Sequence, residues 1–437
     1  MIPVLVLALA LSADPSDHLE ASTKTLSLEQ ALQSASRNQP TLRQQHATTL
    51  AADARADEAF APNLPQVGLD ASYRLSTNNN GSATVINPGG GVPTSTTPNT
   101  TSYWSGSLTA TQTIWDFQQT WGRYRAAQST ASAQSDTERA NTVTVNENVR
   151  TAYFTARANR DLVAVANSTL HAQMAHLDQT KGFVEAGTQP EIALAQSKAN
   201  VANARVQFIQ ASNNYATAKA ALNTAMGVEG PTDYEVTDTE LAPVQGEDGA
   251  LDKLVDQAYA ARPESAAFEA QLQAEDYTLR SIRGAYWPSF GASASGTLTG
   301  DNLFHDQMTP NLIGQLTMSW NLYQGGLTNA QVQEAESNRV IIEAQRDAFH
   351  LQVRQSVEQA QLAVHAAKEA LTAADEALDA AKAQLTLAEG RYQAGVGNII
   401  ELSDAQATLT SSAAQRVSAV YSVATARAQL MASLGIL

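Results

Sequence analysis

The chain has 437 residues, with 27 Lys and Arg against 43 Asp and Glu, a formal net charge of −16 and no cysteine. That balance argues against a nucleic-acid phosphate surface as partner. The missing thiols exclude disulfides, thiol catalysis, cysteine zinc sites and a lipid anchor on an N-terminal Cys, whereas an acidic wall that concentrates cations fits the charge.

The opening MIPVLVLALALSADPS gives about ten apolar residues and then small ones, which resembles the h-region and cleavage site of a secretory signal. A signal peptide is therefore expected over residues 1–13, with cleavage after Ala10 or Ala13, although the usual n-region Lys or Arg is missing. The stretch is too short to span a bilayer, and no later segment approaches the ~20 consecutive apolar residues of a spanning helix. Any entry into a membrane must be made by strands.

Beyond it the chain is written twice. The first repeat, 26–227, reads as a helix over 28–60, strands over 67–75 and 104–115, and helices over 117–182 and 190–226. A segment 228–250 follows, and the second repeat, 251–437, reads as helices over 251–286, 325–391 and 399–434 with strands over 289–299 and 311–322. Pro40 and Pro65 fall on Pro263 and Pro288 at an offset of 223, and Trp115, Gly187 and Gly227 fall on Tyr323, Gly395 and Gly435 at 208. The difference lies between Pro65 and Trp115, where the first copy carries an insert of Asn, Ser, Thr, Gly and Pro, the composition of a solvated loop.

From Val353 the apolar or small positions run Val353, Val357, Ala360, Val364, Ala367, Leu371, Ala374, Leu378, Ala381, Leu385, Ala388 and Tyr392. Every step is four or three, the seam of a left-handed coiled coil. A helix over 325–391 is about 100 Å long, while those over 28–60 and 190–226 are roughly 50 and 55 Å, so two short ones match one long one. A cylinder can be built from continuous long helices alternating with stacked short pairs.

The strand segments alternate. Val67, Leu69, Ala71, Tyr73 and Leu75 share one face, opposed by Asp70, Ser72 and Arg74. Trp104, Gly106, Leu108, Ala110, Gln112 and Ile114 oppose a run of Ser and Thr. Phe290, Ala292, Ala294 and Leu298 oppose Ser293, Ser295, Thr297 and Thr299, and Leu312, Leu316, Met318, Trp320 and Leu322 oppose Gln315, Thr317, Ser319 and Asn321. Segments of about ten residues with one apolar and one hydroxyl-rich face have the pattern of tilted membrane strands with lipid outside and water inside. Trp104, Trp115, Trp287 and Tyr323 stand at segment ends, where an aromatic girdle belongs. Four strands cannot close a barrel and open edges are not tolerated in lipid, so several protomers must contribute strands.

Helix, proline turn, strand, loop, strand, long helix, glycine turn and helix, given twice, with NLYQGG entering the second long helix and RYQAGVGNIIELSDAQ (391–406) at its far end, resembles the TolC family of outer-membrane efflux proteins over about 26–437. The resemblance implies a mainly α fold with membrane β: a homotrimer whose protomers supply four strands each to a twelve-stranded outer-membrane β-barrel, continued by a long periplasmic α-helical barrel. It implies the exit duct of a tripartite efflux pump or type I secretion system, a passive conduit partnered by a periplasmic adaptor and an inner-membrane transporter and surrounded by outer-membrane lipid. Residues 228–250 resemble the equatorial region at the tube's waist.

By the same resemblance Gly187, Thr188, Gly395 and Val396 are the helical tips that dock the adaptor. Tyr392, Glu401 and Asp404 are the entrance. Glu401 and Asp404, three apart on one helical face, would give six carboxylates in a trimer, able to attract cations and accept a blocking metal ion. Tyr392 matches a family tyrosine that helps hold the entrance closed. Gly397 and Ala193 stand where the family carries Arg and Asp, so the family's salt-bridge latch is not expected, and Glu191 is the substitute considered. No cofactor, resident metal site or enzymatic activity is expected: His171 and His176 are poorly spaced for shared ligation, the acidic run 301–306 has no partner nucleophile, and Gly89–Gly91 lack the Lys and Ser or Thr of a phosphate loop. The competing reading is a periplasmic or surface coiled-coil structural protein, against which the strands and glycine tips both argue.

Overall fold

The computed structural model describes residues 24–78, 99–237, 241–300, 308–394 and 396–436. The expected signal peptide, the Gly89–Gly91 run, the acidic run 301–306 and Gly395 lie outside them. In chain order the elements are β1 (Lys24–Leu26), α1 (Leu28–Asn38), α2 (Pro40–Phe60), β2 (Gln66–Asn78), β3 (Asn99–Trp115), α3 (Gln119–Glu185), α4 (Glu191–Met226), β4 (Tyr234–Val236), α5 (Leu251–Ala261), α6 (Pro263–Gly284), β5 (Ser289–Gly300), β6 (Thr309–Ser319), α7 (Leu327–Gln393) and α8 (Ile399–Ser433).

Several bounds differ from expectation for local reasons. The helices expected over 28–60 and 251–286 are each two helices, parted at Gln39 and Arg262. Those residues have ψ of 118° and 124°, because the proline that follows excludes the helical region from the residue before it and then opens the next helix. The long helices each begin two residues later than the expected 117–182 and 325–391, and end three and two residues later. Phe117 and Gln118 have φ of 50° and 70° and Gly325 and Gly326 of 63° and 85°, which makes both pairs turns, not first turns of helix. Both helices then run 67 residues. The last strand ends at Ser319, not 322, because its partner β5 begins at Ser289, directly after Pro288, which has no N–H to pair.

The chain divides into two compact units. A helical unit holds the described residues up to Gln39 with Val145–Glu247 and Leu362–Gln429. β1 and β4 pair in parallel there, Lys24 with Tyr234 through Leu26 with Val236. Buried Tyr153 donates its hydroxyl hydrogen to the Thr237 carbonyl at 3.0 Å beside this ladder. The segment after β4 is fixed by Glu247, whose carboxylate accepts from Arg427 Nη2 at 2.9 Å and lies 2.7 Å from Lys368 Nζ, with the Val244 N–H at 2.8 Å. Burial pushes the Glu247 carboxyl up, but these donors outweigh it and hold it at about 2. The coiled-coil seam is as read: of its twelve residues eight are buried and four half-buried.

A sheet unit holds the described residues of Pro40–Thr144, of Asp248–Gln361 and from Leu430 onward. Its four strands are antiparallel in the order β2-β3-β5-β6. The register puts Leu69 opposite Leu108, Leu108 opposite Gly296 and Gly296 opposite Leu312, so the apolar residues of four strands fall on one face. That face is bare: Leu69, Leu312 and Leu316 are 78, 84 and 85% exposed. The other face is a field of hydroxyls, with Ser72 bonded to Ser105 at 2.9 Å.

Candidate functional site

The two helical reversals are built alike. At the end of α3 the N–H groups of Thr188 and Gln189 converge on the Phe183 carbonyl at 2.9 and 3.3 Å, and the Thr188 hydroxyl adds a third bond at 2.9 Å. Gly187 N–H donates to Val184 at 3.0 Å with φ of 71°, so the helix closes in a left-handed cap that a side chain would strain. At the end of α7 the N–H groups of Val396 and Gly397 converge on the Arg391 carbonyl at 3.1 and 2.9 Å. Gly397 is required for space: a Cβ there would stand 2.8 Å from Tyr392 N and 2.9 Å from the Arg391 carbonyl carbon. Asn398 then caps α8, accepting from Ile400 N–H at 3.2 Å.

Tyr392 is only 4% exposed. It packs with Ala388, Leu402 and Ala405 against Phe183, Leu385 and Ile399, its ring edge-on to Phe183 with centroids 6.0 Å apart. Its hydroxyl meets the Gln189 side-chain amide at 3.1 Å. Tyr392 therefore does not present itself to a solute; it ties the second reversal to the first. Glu191 is exposed in the first turn of α4.

Glu401 and Asp404 are both exposed on the first turns of α8. They differ in company. Glu401 Oε1 lies 3.3 Å from Arg391 Nη1, and among the described residues no cation stands within ion-pair distance of Asp404. Gly187, Thr188 and Val396 are exposed on the reversals, as are the apolar Ile192 and Ile400. Arg391 and Gln189 were missed in the sequence. A basic residue in the last turn of one helix and an acid in the first turn of the next was the available signal for Arg391.

The aromatic residues divide. Trp115 and Trp287 are exposed and joined through Phe117, which stacks on Trp287 at 5.5 Å and meets Trp115 edge-on at 5.9 Å. Trp104 lies at the opposite end of the sheet, half-buried against Gly300, and Tyr323 is 87% exposed beyond the end of β6. Among the described residues no three His, Asp or Glu gather as metal ligands, and His176 approaches only Glu389, at 3.9 Å.

Comparison with known proteins agrees with this architecture. The chain is 27% identical to the outer membrane protein TolC of Escherichia coli (strain K12), over all of this chain and 86% of that one. It is 25% identical to the pyoverdine export outer membrane protein OpmQ of Pseudomonas putida, over 93% of this chain and 85% of the other. The crystal structure of the outer membrane protein VceC from Vibrio cholerae has the same fold, with a TM-score of 0.77, 18% identity and coverage of 93% and 96% of the two chains. The family model described as outer membrane efflux protein matches residues 31–228 and 254–436, thus both repeats. The chain belongs to that family, as an outer-membrane efflux channel with a large periplasmic helical part.

Proposed function

We propose that the protein is the exit duct of a tripartite efflux pump or type I secretion system, a homotrimer that conducts passively from periplasm to exterior. The bare apolar face of the sheet carries this reading. Leucines left 78 to 85% exposed are covered by lipid, and the hydroxyl face opposite them lines water. β2 and β6 have no partner on their outer edges among the described strands, and lipid does not tolerate an open edge. β6 of one copy therefore pairs with β2 of the next, and three copies close twelve strands. Trp104 and Trp115 are about 36 Å apart along β3 at 3.3 Å per residue, which a tilt of ~40° reduces to about 28 Å, enough to flank the ~25 Å apolar band of an outer-membrane barrel.

In the helical unit Gly187, Thr188 and Val396, with the exposed apolar Ile192 and Ile400, form the tips that meet a periplasmic adaptor, itself joined to an inner-membrane transporter. Glu401 and Asp404 form the acidic entrance and Tyr392 holds it in shape. The test is planar-bilayer conductance of the detergent-purified protein. Discrete cation-selective channels, with selectivity weakened in the Glu401→Gln, Asp404→Asn double variant, are expected; a water-soluble particle without conductance overturns the reading.

A further inference from the structure

We propose that Arg391 sets the cation selectivity of the entrance by cancelling Glu401 within the same protomer, so that Asp404 supplies the net charge a passing ion meets. The proposal rests on the entrance reading above and adds the residue that tunes it. Arg391 Nη1 lies 3.3 Å from Glu401 Oε1, and the geometry that brings them together is fixed on both sides. Arg391 stands in the last turn of α7 and Glu401 in the first turn of α8, so each charge also faces the helix end that favours its sign. The Arg391 carbonyl accepts two N–H groups of the turn, and the turn closes over it because Gly397 has no side chain: a Cβ there would stand 3.1 Å from Arg391 Cβ.

The pair is exposed, with side chains 58 and 43% accessible, so its worth to stability is small. Its effect on a permeating ion is not small. A guanidinium against a carboxylate leaves little field beyond the ~8 Å screening length of physiological salt, whereas a lone carboxylate at a constriction concentrates cations. Asp404, three residues on and exposed, has no such partner among the described residues. In the proposed trimer six carboxylates are thus offset by three guanidiniums, which halves the net negative charge of the ring.

The experiment uses the full-length protein in planar bilayers across a potassium chloride gradient, with Mg²⁺ as the blocking probe. Arg391→Gln is expected to raise the cation-to-anion permeability ratio and to lower the Mg²⁺ concentration for half-block, each about threefold. Arg391→Lys should keep the native values. The double variant Arg391→Gln, Glu401→Gln, which removes the pair and leaves net charge unchanged, should return to them, a readout that a merely structural role for Arg391 would not give. An Arg391→Gln channel with native selectivity, while Asp404→Asn weakens it, overturns the inference and leaves the entrance reading standing. Native selectivity in both Asp404→Asn and the Glu401→Gln, Asp404→Asn double variant overturns the entrance reading itself. If Arg391→Gln does not assemble, the neutral-pair double variant decides: a shifted ratio there overturns the proposal.

Discussion

Thr188 and Gln189 donate to the carbonyl of Phe183 at the first reversal, and Val396 and Gly397 donate to that of Arg391 at the second, 208 positions on. Each of these carbonyls collects a matching pair of N–H groups, yet the side chains carry different work. The first reversal offers neutral Gln189 to Tyr392, whereas the second holds Arg391, Glu401 and Asp404. The entries to the long helices differ in the same way. The second uses Gly325 and Gly326 at positive φ, where the first forces Phe117 and Gln118 into that region and offsets part of the cost by stacking Phe117 on Trp287. Duplication has preserved hydrogen-bond geometry, which is costly to lose, and released the side chains that geometry does not use.

The largest expected effect tests the joint between the repeats. Glu247→Gln leaves Arg427 and Lys368 without their buried carboxylate and should cost roughly 3 kcal/mol at neutral pH. Because the folded carboxyl sits at about 2, below its ordinary 4.5, its stabilisation is present above the ordinary value and lost as pH falls from about 4.5 to about 2. Denaturation of native and variant protein along that window should show their difference vanish at the acid end.

A second comparison sets the reversals against each other. Gly397→Ala drives a Cβ into backbone and should destabilise the second reversal by about 2 kcal/mol, while Gln189→Ala at the matching position removes only the Tyr392 bond, about 1 kcal/mol. Amide hydrogen exchange at the ends of α7 and α8 reads both, and equal loss of protection would deny the difference in packing. The smallest effect tests the helix entries: exposed Gln118→Gly should stabilise by up to about 1 kcal/mol by relieving a left-handed side chain, and Gly326→Ala should destabilise by a similar amount. Thermal unfolding with opposite shifts in the two variants is the expected outcome.

Much of this was legible in the chain. Heptad steps from Val353 to Tyr392 and period-two alternation in Val67–Leu75 or Phe290–Leu298 are local properties, and local periodicity dictates which face an element buries. The constant offsets made the second half a check on the first. Less visible were β1 and β4, three residues each and 210 positions apart, too short for any period to announce. The candidate site divided likewise: Glu401 and Asp404 were found as an acidic pair on one helix, and Gly187 as a turn.

Sequence alone determined the long helices and the two-faced strands, because each follows from the spacing of residues along one element, while constant offsets marked the repeats and the order of elements carried the family resemblance. Only the tertiary structure decided that Gln189 is the hydrogen-bond partner of Tyr392, that Gly397 is needed for space, and that Arg391 accompanies Glu401 while Asp404 has no cation beside it among the described residues. Those are contacts across a chain reversal or between separate helices, and their distances are set by how helices pack, which no spacing along a single helix encodes.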